Sequence, residues 1–268
     1  MTIQPQIMGV LNITPDSFSD GGKYFDFNSA IVNAKRMIKQ GADIIDIGGE
    51  STRPGAKPVS TNDEIDRVIP IIEALHHSID VPISIDTSKP EVMKLAVEAG
   101  ASMINDVCAL SADDALEAAA LLNVNVCLMH MQGSPRTMQN SPVYGNVIDD
   151  IKQFFDNRIK ACIDAGITEG KIILDPGFGF GKNLNHNLEI LKRLSEFKSF
   201  GLPILAGISR KSMIGSLLND RNVDGRVSGS VTAAIIAIEN GANIVRVHDV
   251  LETKDALMVW QSVNQFKG

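Results

Sequence analysis

A single (β/α)8 barrel is the fold class this sequence predicts, on three observations. Eight short apolar runs alternate with amphipathic stretches of helical period along the whole chain. The runs are almost continuously Val, Ile, Leu and Met, as befits parallel strands covered on both faces. The length of 268 residues suits one barrel of about 250. No composition break or linker-like stretch divides the chain, so residues 1–268 read as one domain. An open doubly wound sheet is the alternative, since one missed or false strand changes the count.

The first strand, 7–13, runs into Asn12-Ile13-Thr14-Pro15-Asp16-Ser17-Phe18. A helical pattern over 28–40, carrying Ile31, Val32, Met37 and Ile38, stops at Gly41. Strand 44–47 leads into Gly48-Gly49-Glu50-Ser51-Thr52-Arg53-Pro54-Gly55, and a helix over 61–79 opens on Thr61-x-x-Glu64, the spacing of a capping box. Strand 83–86 ends in Asp86-Thr87-Ser88, and a helix over 90–99 has proline in its first turn and Gly100 behind it. Strands at 103–107, 126–129, 172–175, 204–207 and 244–247 follow. Their helices fall at 112–122, 148–165, 188–197, 228–239 and 254–266. Gly41-Ala42, Gly100-Ala101 and Gly241-Ala242 each precede a strand, which predicts one helix-to-strand turn used three times.

Composition narrows the function. Lys+Arg 25 against Asp+Glu 32 gives a net charge of −7 and a pI near 5.2, which argues against a nucleic-acid or anionic-membrane surface. Hydrophobic residues at 44% and charged residues at 21% exclude a disordered or fibrous chain. The start, Met1-Thr2-Ile3-Gln4-Pro5, has no basic segment followed by an apolar one, so no secretory signal is expected, and no run approaches the roughly 20 apolar residues of a membrane span. Cys108, Cys127 and Cys162 are odd in number and widely spaced, which suits small core residues in a reducing cytoplasm.

In a barrel of this kind, function sits in the loops after the strands' C-terminal ends. There the polar residues collect, while the helix-to-strand turns hold mainly Gly, Ala, Pro and Val. Arg246 and His248 are two apart on the eighth strand and share a face, and barrel closure sets that strand beside the first. Asn12, Arg246 and His248 are therefore expected to converge on an anion such as a phosphate or pyrophosphate. The competing reading is a surface pair of Arg246 with Asp249. Asp86, Asn105 and Asp175 end strands and must find partners if buried. They either hold a planar heterocycle with amine and ring N–H donors or cap their own loops. Lys211, in Ser209-Arg210-Lys211-Ser212, suits a Schiff base, a ring donor or plain surface. Gly177-Phe178-Gly179-Phe180-Gly181-Lys182 lacks the spacing of a phosphate loop and reads as a flexible, aromatic-lined loop. His130 has no second His or Cys nearby and reads as structural, His76, His77 and His186 as solvated. No motif announces an all-protein metal site.

Taken together, these residues resemble the bacterial dihydropteroate synthase family of pterin-binding TIM barrels. The segments that carry the resemblance are Gly9-Val10-Leu11-Asn12-Ile13-Thr14-Pro15-Asp16-Ser17-Phe18-Ser19-Asp20-Gly21-Gly22, then 48–56, Ile85-Asp86-Thr87, Ile104-Asn105-Asp106, 128–133, 174–181, 207–212 and Arg246-Val247-His248. The resemblance implies a transferase of folate biosynthesis that joins 6-hydroxymethyl-7,8-dihydropterin pyrophosphate to 4-aminobenzoate, giving 7,8-dihydropteroate and pyrophosphate. It implies Asp86, Asn105, Asp175 and Lys211 as the pterin set. Asn12, Arg246 and His248 become the pyrophosphate pocket, with Mg2+ on the pyrophosphate and Asn12 its protein ligand. Asn12, Lys211, Arg246 and His248 form the implied catalytic group. Phe18, Thr52, Arg53 and Pro54 belong to loops that close over the site. Ser212 meets the aminobenzoate carboxylate, with Phe180 and Lys211 lining that pocket. Departure of the leaving group before attack fits the absence of a Ser-His-Asp or Cys-His arrangement. A homodimer is implied, with Val259, Trp260, Val263 and Phe266 as apolar contacts. A silent pterin-binding barrel and a lysine-dependent aldolase are the other classes. Loss of Asn12, Arg246 or His248 would mark the first, and borohydride trapping the second.

Overall fold

The computed structural model describes residues 4–13, 23–51, 56–133, 138 and 142–266. Strands β1 (Gln6–Asn12), β2 (Ile44–Gly48), β3 (Ile83–Asp86), β4 (Met103–Asp106), β5 (Asn125–Met129), β6 (Ile172–Asp175), β7 (Leu205–Ala206) and β8 (Ile244–Val247) make one parallel sheet in the order β6-β5-β4-β3-β2-β1-β8-β7. The remaining gap between β6 and β7 is spanned by a parallel bridge between Leu174 and Ile204, with the Leu174 N–H donating to the Pro203 carbonyl at 2.9 Å. Helices α1 (Lys23–Lys39), α2 (Thr61–His76), α3 (Pro90–Glu98), α4 (Ala115–Leu122), α5 (Val147–Asp164), α6 (Leu184–Lys192), α7 (Ser212–Leu217), α8 (Val227–Glu239) and α9 (Val250–Gln265) surround it. This is the (β/α)8 TIM barrel the pattern predicts. No helix among the described residues is long and apolar enough to cross a membrane.

Strand alternation sorts the core into two parts. Ile7, Leu11, Ile45, Ile47, Ile83, Ile85, Ile104, Val126, Leu128 and Val245 point outward into the large cluster shared with the helices. Met8, Ile44, Met103, Cys127, Ile173, Leu205 and Ile244 form a separate apolar plug inside the barrel. Two residues further along the same strands, that inner face turns polar: Asp46, Asn105, Asp175 and Arg246. The plug is thus the floor on which a polar mouth stands.

The repeated Gly-Ala turn is a Schellman motif. Gly41, Gly100 and Gly241 have φ of +102°, +118° and +108°. The following Ala42, Ala101 and Ala242 donate back to Met37, Ala96 and Ala237 at 3.0, 2.9 and 2.8 Å. Elsewhere the helix boundaries differ from the pattern. Ser60 caps α2, its Oγ accepting from the Asp63 N–H at 3.1 Å, because Glu64 points into the fold and pairs with Lys89 instead of closing a box with Thr61. The pattern at 188–197 divides into α6 and a 3-10 turn, Leu194–Phe200. The last helix starts at Val250, where the strand ends and the chain turns at once. Among the cysteines, Cys127 and Cys162 are buried, Cys108 is half-buried, and all three are free thiols.

Candidate active site

Arg246 reaches across the mouth from β8 toward β2 and β3. Its Nε donates to Asp46 Oδ2 and its Nη2 to Asp86 Oδ2, both at 2.6 Å. Asn105 Nδ2 donates to the same Asp46 oxygen at 3.2 Å. Burial pushes the Asp86 carboxyl up to about 7; Arg246 opposes that shift and Asp46 adds to it. Burial also works against the charge on Arg246, but Asp46 and Asp86 more than offset it, so its pKa is raised. Asp46 is fully buried, and its second oxygen, Oδ1, has no hydrogen-bond partner among the described residues.

This geometry refines the expected convergence of Asn12, Arg246 and His248. The three share the inner face but not a level: Arg246 lies in register with Met8, whereas Asn12 lies beside Gly48, four residues further along β1. Asn12 instead lies across Gly48 from Asp86. A Cβ built on Gly48 would lie 3.7 Å from both Asn12 Oδ1 and Asp86 Oδ2, so the bare glycine leaves a gap between two oxygens. His248 is exposed, with its Nδ1 3.1 Å from Ser209 Oγ, which also accepts from the His248 N–H at 3.2 Å. Asp249, which is buried, takes Arg210 at 3.0 and 2.5 Å, so it pairs with a different arginine from the one expected.

The opposite side of the mouth is built on β6 and β7. Asp175 is 5% exposed, and its Oδ1 accepts from the Gly177 N–H at 2.7 Å. Burial raises its pKa, opposed by Lys211, the Gly177 amide and Lys182. Lys211 donates to the Phe178 carbonyl and places its Nζ 4.5 Å from the centre of the Phe180 ring. Burial lowers the Lys211 pKa to about 8, with Asp175 pulling it up and Arg246 pushing it down. The two sides meet at Gly207, where a Cβ would lie 3.9 Å from both Lys211 Nζ and Arg246 Cβ. Ser212, exposed at the start of α7, adjoins this side.

The aromatic loop after β6 is pinned rather than flexible. Lys182, 2% exposed, donates to the carbonyls of Phe180 at 2.9 Å and His130 at 3.2 Å, and its Nζ lies 2.9 Å from His130 Nδ1. Asn187 Oδ1 accepts from the Gly179 N–H at 2.7 Å, and Tyr144 Oη donates to the Gly181 carbonyl at 2.7 Å. Gly177 has φ +70°, and a Cβ there would lie 1.9 Å from the His130 carbonyl oxygen, so only glycine fits. Burial, with Lys182 beside it, drives the His130 pKa down to about 2. His130 is a neutral, packed histidine, edge-on to Phe154 with ring centres 4.9 Å apart.

Lys89 joins Glu50, at the foot of the second loop, to the buried Glu64 of α2. Arg67 donates to the Gly49 carbonyl at 2.9 Å. Of the expected site residues, Phe18, Thr52, Arg53 and Pro54 lie outside the described residues. Among the described residues no three His, Cys, Asp or Glu side chains gather as a metal cluster. Sequence reasoning missed Asp46 and Lys182. Asp46 did carry a signal, as the lone acid inside the apolar run Ile44-Ile45-Asp46-Ile47, in phase with the plug residue Ile44. Lys182 carried none, because a lysine after five glycine- and phenylalanine-rich positions reads as solvated.

A buried carboxylate held by a backbone N–H within the field of a lysine, beside a guanidinium held by two carboxylates, suits a ligand with both neutral N–H donors and an anionic tail. The family of pterin binding enzymes matches residues 8–248 of the chain. Dihydropteroate synthase of Escherichia coli K12 is 54% identical over 255 residues, covering 95% of this chain and 90% of that protein. The Yersinia pestis dihydropteroate synthase, solved with a sulfonamide drug, superposes with a TM-score of 0.94 at 52% identity, covering 98% of this chain and 95% of that one. The Xanthomonas albilineans dihydropteroate synthase, solved with 4-aminobenzoic acid, gives 0.94 at 47% identity, with 98% and 94% covered.

Proposed function

The chain belongs to the pterin binding enzymes, among their dihydropteroate synthases, a family of transferases, and on that premise we propose how its residues act and in what order. The substrates are 6-hydroxymethyl-7,8-dihydropterin pyrophosphate and 4-aminobenzoate, the products 7,8-dihydropteroate and pyrophosphate. The observation that carries this reading is the gathering, at one end of the barrel, of the buried Asp175 within the field of Lys211 and of the Asp86–Arg246 ion pair, the two sides meeting at Gly207.

Asp175 and Asp86 accept from the N–H groups of the pterin, with Asn105 between them and Lys211 against the ring. Arg246 and His248 take the pyrophosphate oxygens. The C–O bond to the pterin methylene opens first, its electron pair leaving with pyrophosphate, and the cation left behind is shared with the electron-rich ring. The neutral amine of 4-aminobenzoate then forms the C–N bond and gives up a proton to water. No protein base is needed, since the amine is already nucleophilic. Arg246 and His248 stabilise charge that grows only as the bond breaks. Ser212, Phe180 and Lys211 face the aminobenzoate; Phe18, Thr52, Arg53 and Pro54, outside the described residues, are assigned to the same substrate by the resemblance alone.

Mg2+ is the implied cofactor, and the donor set suits it. Asn12 Oδ1 stands beside the bare Gly48, an oxygen donor appropriate to a hard cation that keeps waters and substrate phosphates as its other ligands. Bound with Asn12 as protein ligand, it would neutralise charge on the departing pyrophosphate. We further propose a homodimer through α9, where Val259, Val263 and Phe266 are exposed while Trp260 is tied to Glu239 at 3.0 Å. Three free thiols support a reducing, cytoplasmic setting.

The test is pyrophosphate release with and without 4-aminobenzoate, with dihydropteroate identified by mass. A series of ring-substituted anilines then reads the order of events. Rates nearly independent of amine basicity support departure first, and a steep dependence overturns it.

A further inference from the structure

Asp46 is a fully buried acid on the same inner-face level as Asn105, Asp175 and Arg246, and the mechanism above gives it no task. Its Oδ2 accepts from both Arg246 Nε and Asn105 Nδ2, while its Oδ1 is left without a partner. Ser84, its register partner on β3, is also fully buried, and its Oγ lacks a partner too. Stability alone does not favour a carboxylate in this position. An amide of the same shape would still accept from Arg246 and Asn105 on its oxygen. It would also remove a buried charge.

The charge is explained by what it holds. A guanidinium carries five donors in a rigid fork. A bond at Nε fixes its plane and leaves the terminal nitrogens free to change partners. We propose that Asp46 is the positioning residue for Arg246: it holds Nε at 2.6 Å, so that Nη2 can exchange Asp86 for the departing pyrophosphate once the pterin has taken Asp86. The inference rests on the leaving-group role given to Arg246 above. It adds that pterin engagement and readiness of the anion side are one event, because both draw on the same Asp86 oxygen. Without the charge of Asp46, Arg246 settles wholly on Asp86. The pterin must then displace an unshared ion pair, and the guanidinium no longer sits where the leaving group needs it.

Asp46→Asn, in the wild-type chain and in an Arg246→Lys background that lacks the Nε donor, tests this. In the wild-type background turnover falls by about 10- to 100-fold, less than the roughly 10²–10³ of losing a preorganised contact outright, because Arg246 itself remains. The KM for the pterin substrate rises, the KM for 4-aminobenzoate stays within about twofold, and the melting temperature is unchanged or higher. In the Arg246→Lys background the same substitution costs under about threefold, because residues acting through one another are non-additive. Equal losses in the two backgrounds overturn the proposal, as does a turnover loss that only tracks a lowered melting temperature, or near-wild-type turnover in the single variant. Should Asp46→Asn not fold, Asp46→Ser removes the same charge with less bulk and meets the same criteria. Full turnover in Arg246→Lys alone is a separate result, which removes the leaving-group role of Arg246 and this inference with it.

Discussion

On the side of the mouth built by β2, β3 and β8, one guanidinium lies between two carboxylates; on the side built by β6 and β7, one carboxylate lies near two amines. Arg246 is shared by Asp46 and Asp86, and Asp175 is faced by Lys211 and Lys182. Burial works against the charge on both amines, most strongly on Lys182, so that side holds a supported acid where the other holds a cation shared by two carboxylates. The contrast teaches that the empty protein does not present a bare cation to pyrophosphate. It presents a supported acid to a neutral heterocycle, and the anion side becomes receptive as its second carboxylate is engaged.

The largest test removes the odd cation. Arg246→Ala is expected to lower turnover by on the order of 10² or more, read as pyrophosphate release. Near-wild-type turnover would break the comparison, since the two carboxylates would then matter without their shared partner. Asp175→Asn is next. It puts an N–H where the pterin already offers one, and should weaken pterin binding by about 1–3 kcal/mol in calorimetry with little change in melting temperature. Equal affinity for wild type and variant would show that the acid is a loop cap only.

The two sides also predict a narrow pH optimum. If catalysis needs Asp86 ionised and Lys211 protonated, kcat/KM rises through an acid limb near 7 and falls through a basic limb near 8. Asp86→Asn should remove the first limb and Lys211→Arg the second; limbs that stay in both variants refute the assignment. The same shifts enter stability with known signs. Asp86, raised in the folded chain, binds a proton there that the unfolded chain has lost, so its contribution declines as pH rises from about 4 to about 7. Lys211, lowered, contributes stability that increases from about 8 to about 10.5. The smallest effect belongs to Gly48→Ala. Its new methyl would meet Asp86 and Asn12 at ordinary contact distances, 3.5 to 3.7 Å, so stability should move by no more than about 0.5 kcal/mol. Turnover should drop severalfold with pterin affinity kept; loss of pterin affinity would show that the Asn12–Asp86 gap belongs to the heterocycle.

Much of this was legible in the chain, because strands and helices have periods that residues must obey. The runs at 44–47, 83–86 and 172–175 read as strands whose in-phase residues point inward, and the structure puts Asp86, Asn105, Asp175 and Arg246 on that inner face. The Gly-Ala turns were legible for a similar local reason, since φ near +100° is a glycine conformation. The aromatic loop after β6 was misread, because glycine spacing says nothing about a lysine folding back onto two carbonyls. The cap of α2 was misplaced by one residue because Glu64, which fits a capping box by spacing, is drawn inward by Lys89.

The sequence by itself determined the alternation of elements, the inward face of each strand and the gathering of polar residues at the C-terminal strand ends, because those follow from backbone periods of 2 and 3.6 residues. Only the tertiary structure decided partners. Arg246 is separated from Asp46 by 200 residues and from Asp86 by 160, and it meets them because closure sets β8 beside β1, with β2 and β3 next in the sheet. A charge in a barrel is governed by what stands across the mouth, and that distance is set by closure rather than by the chain.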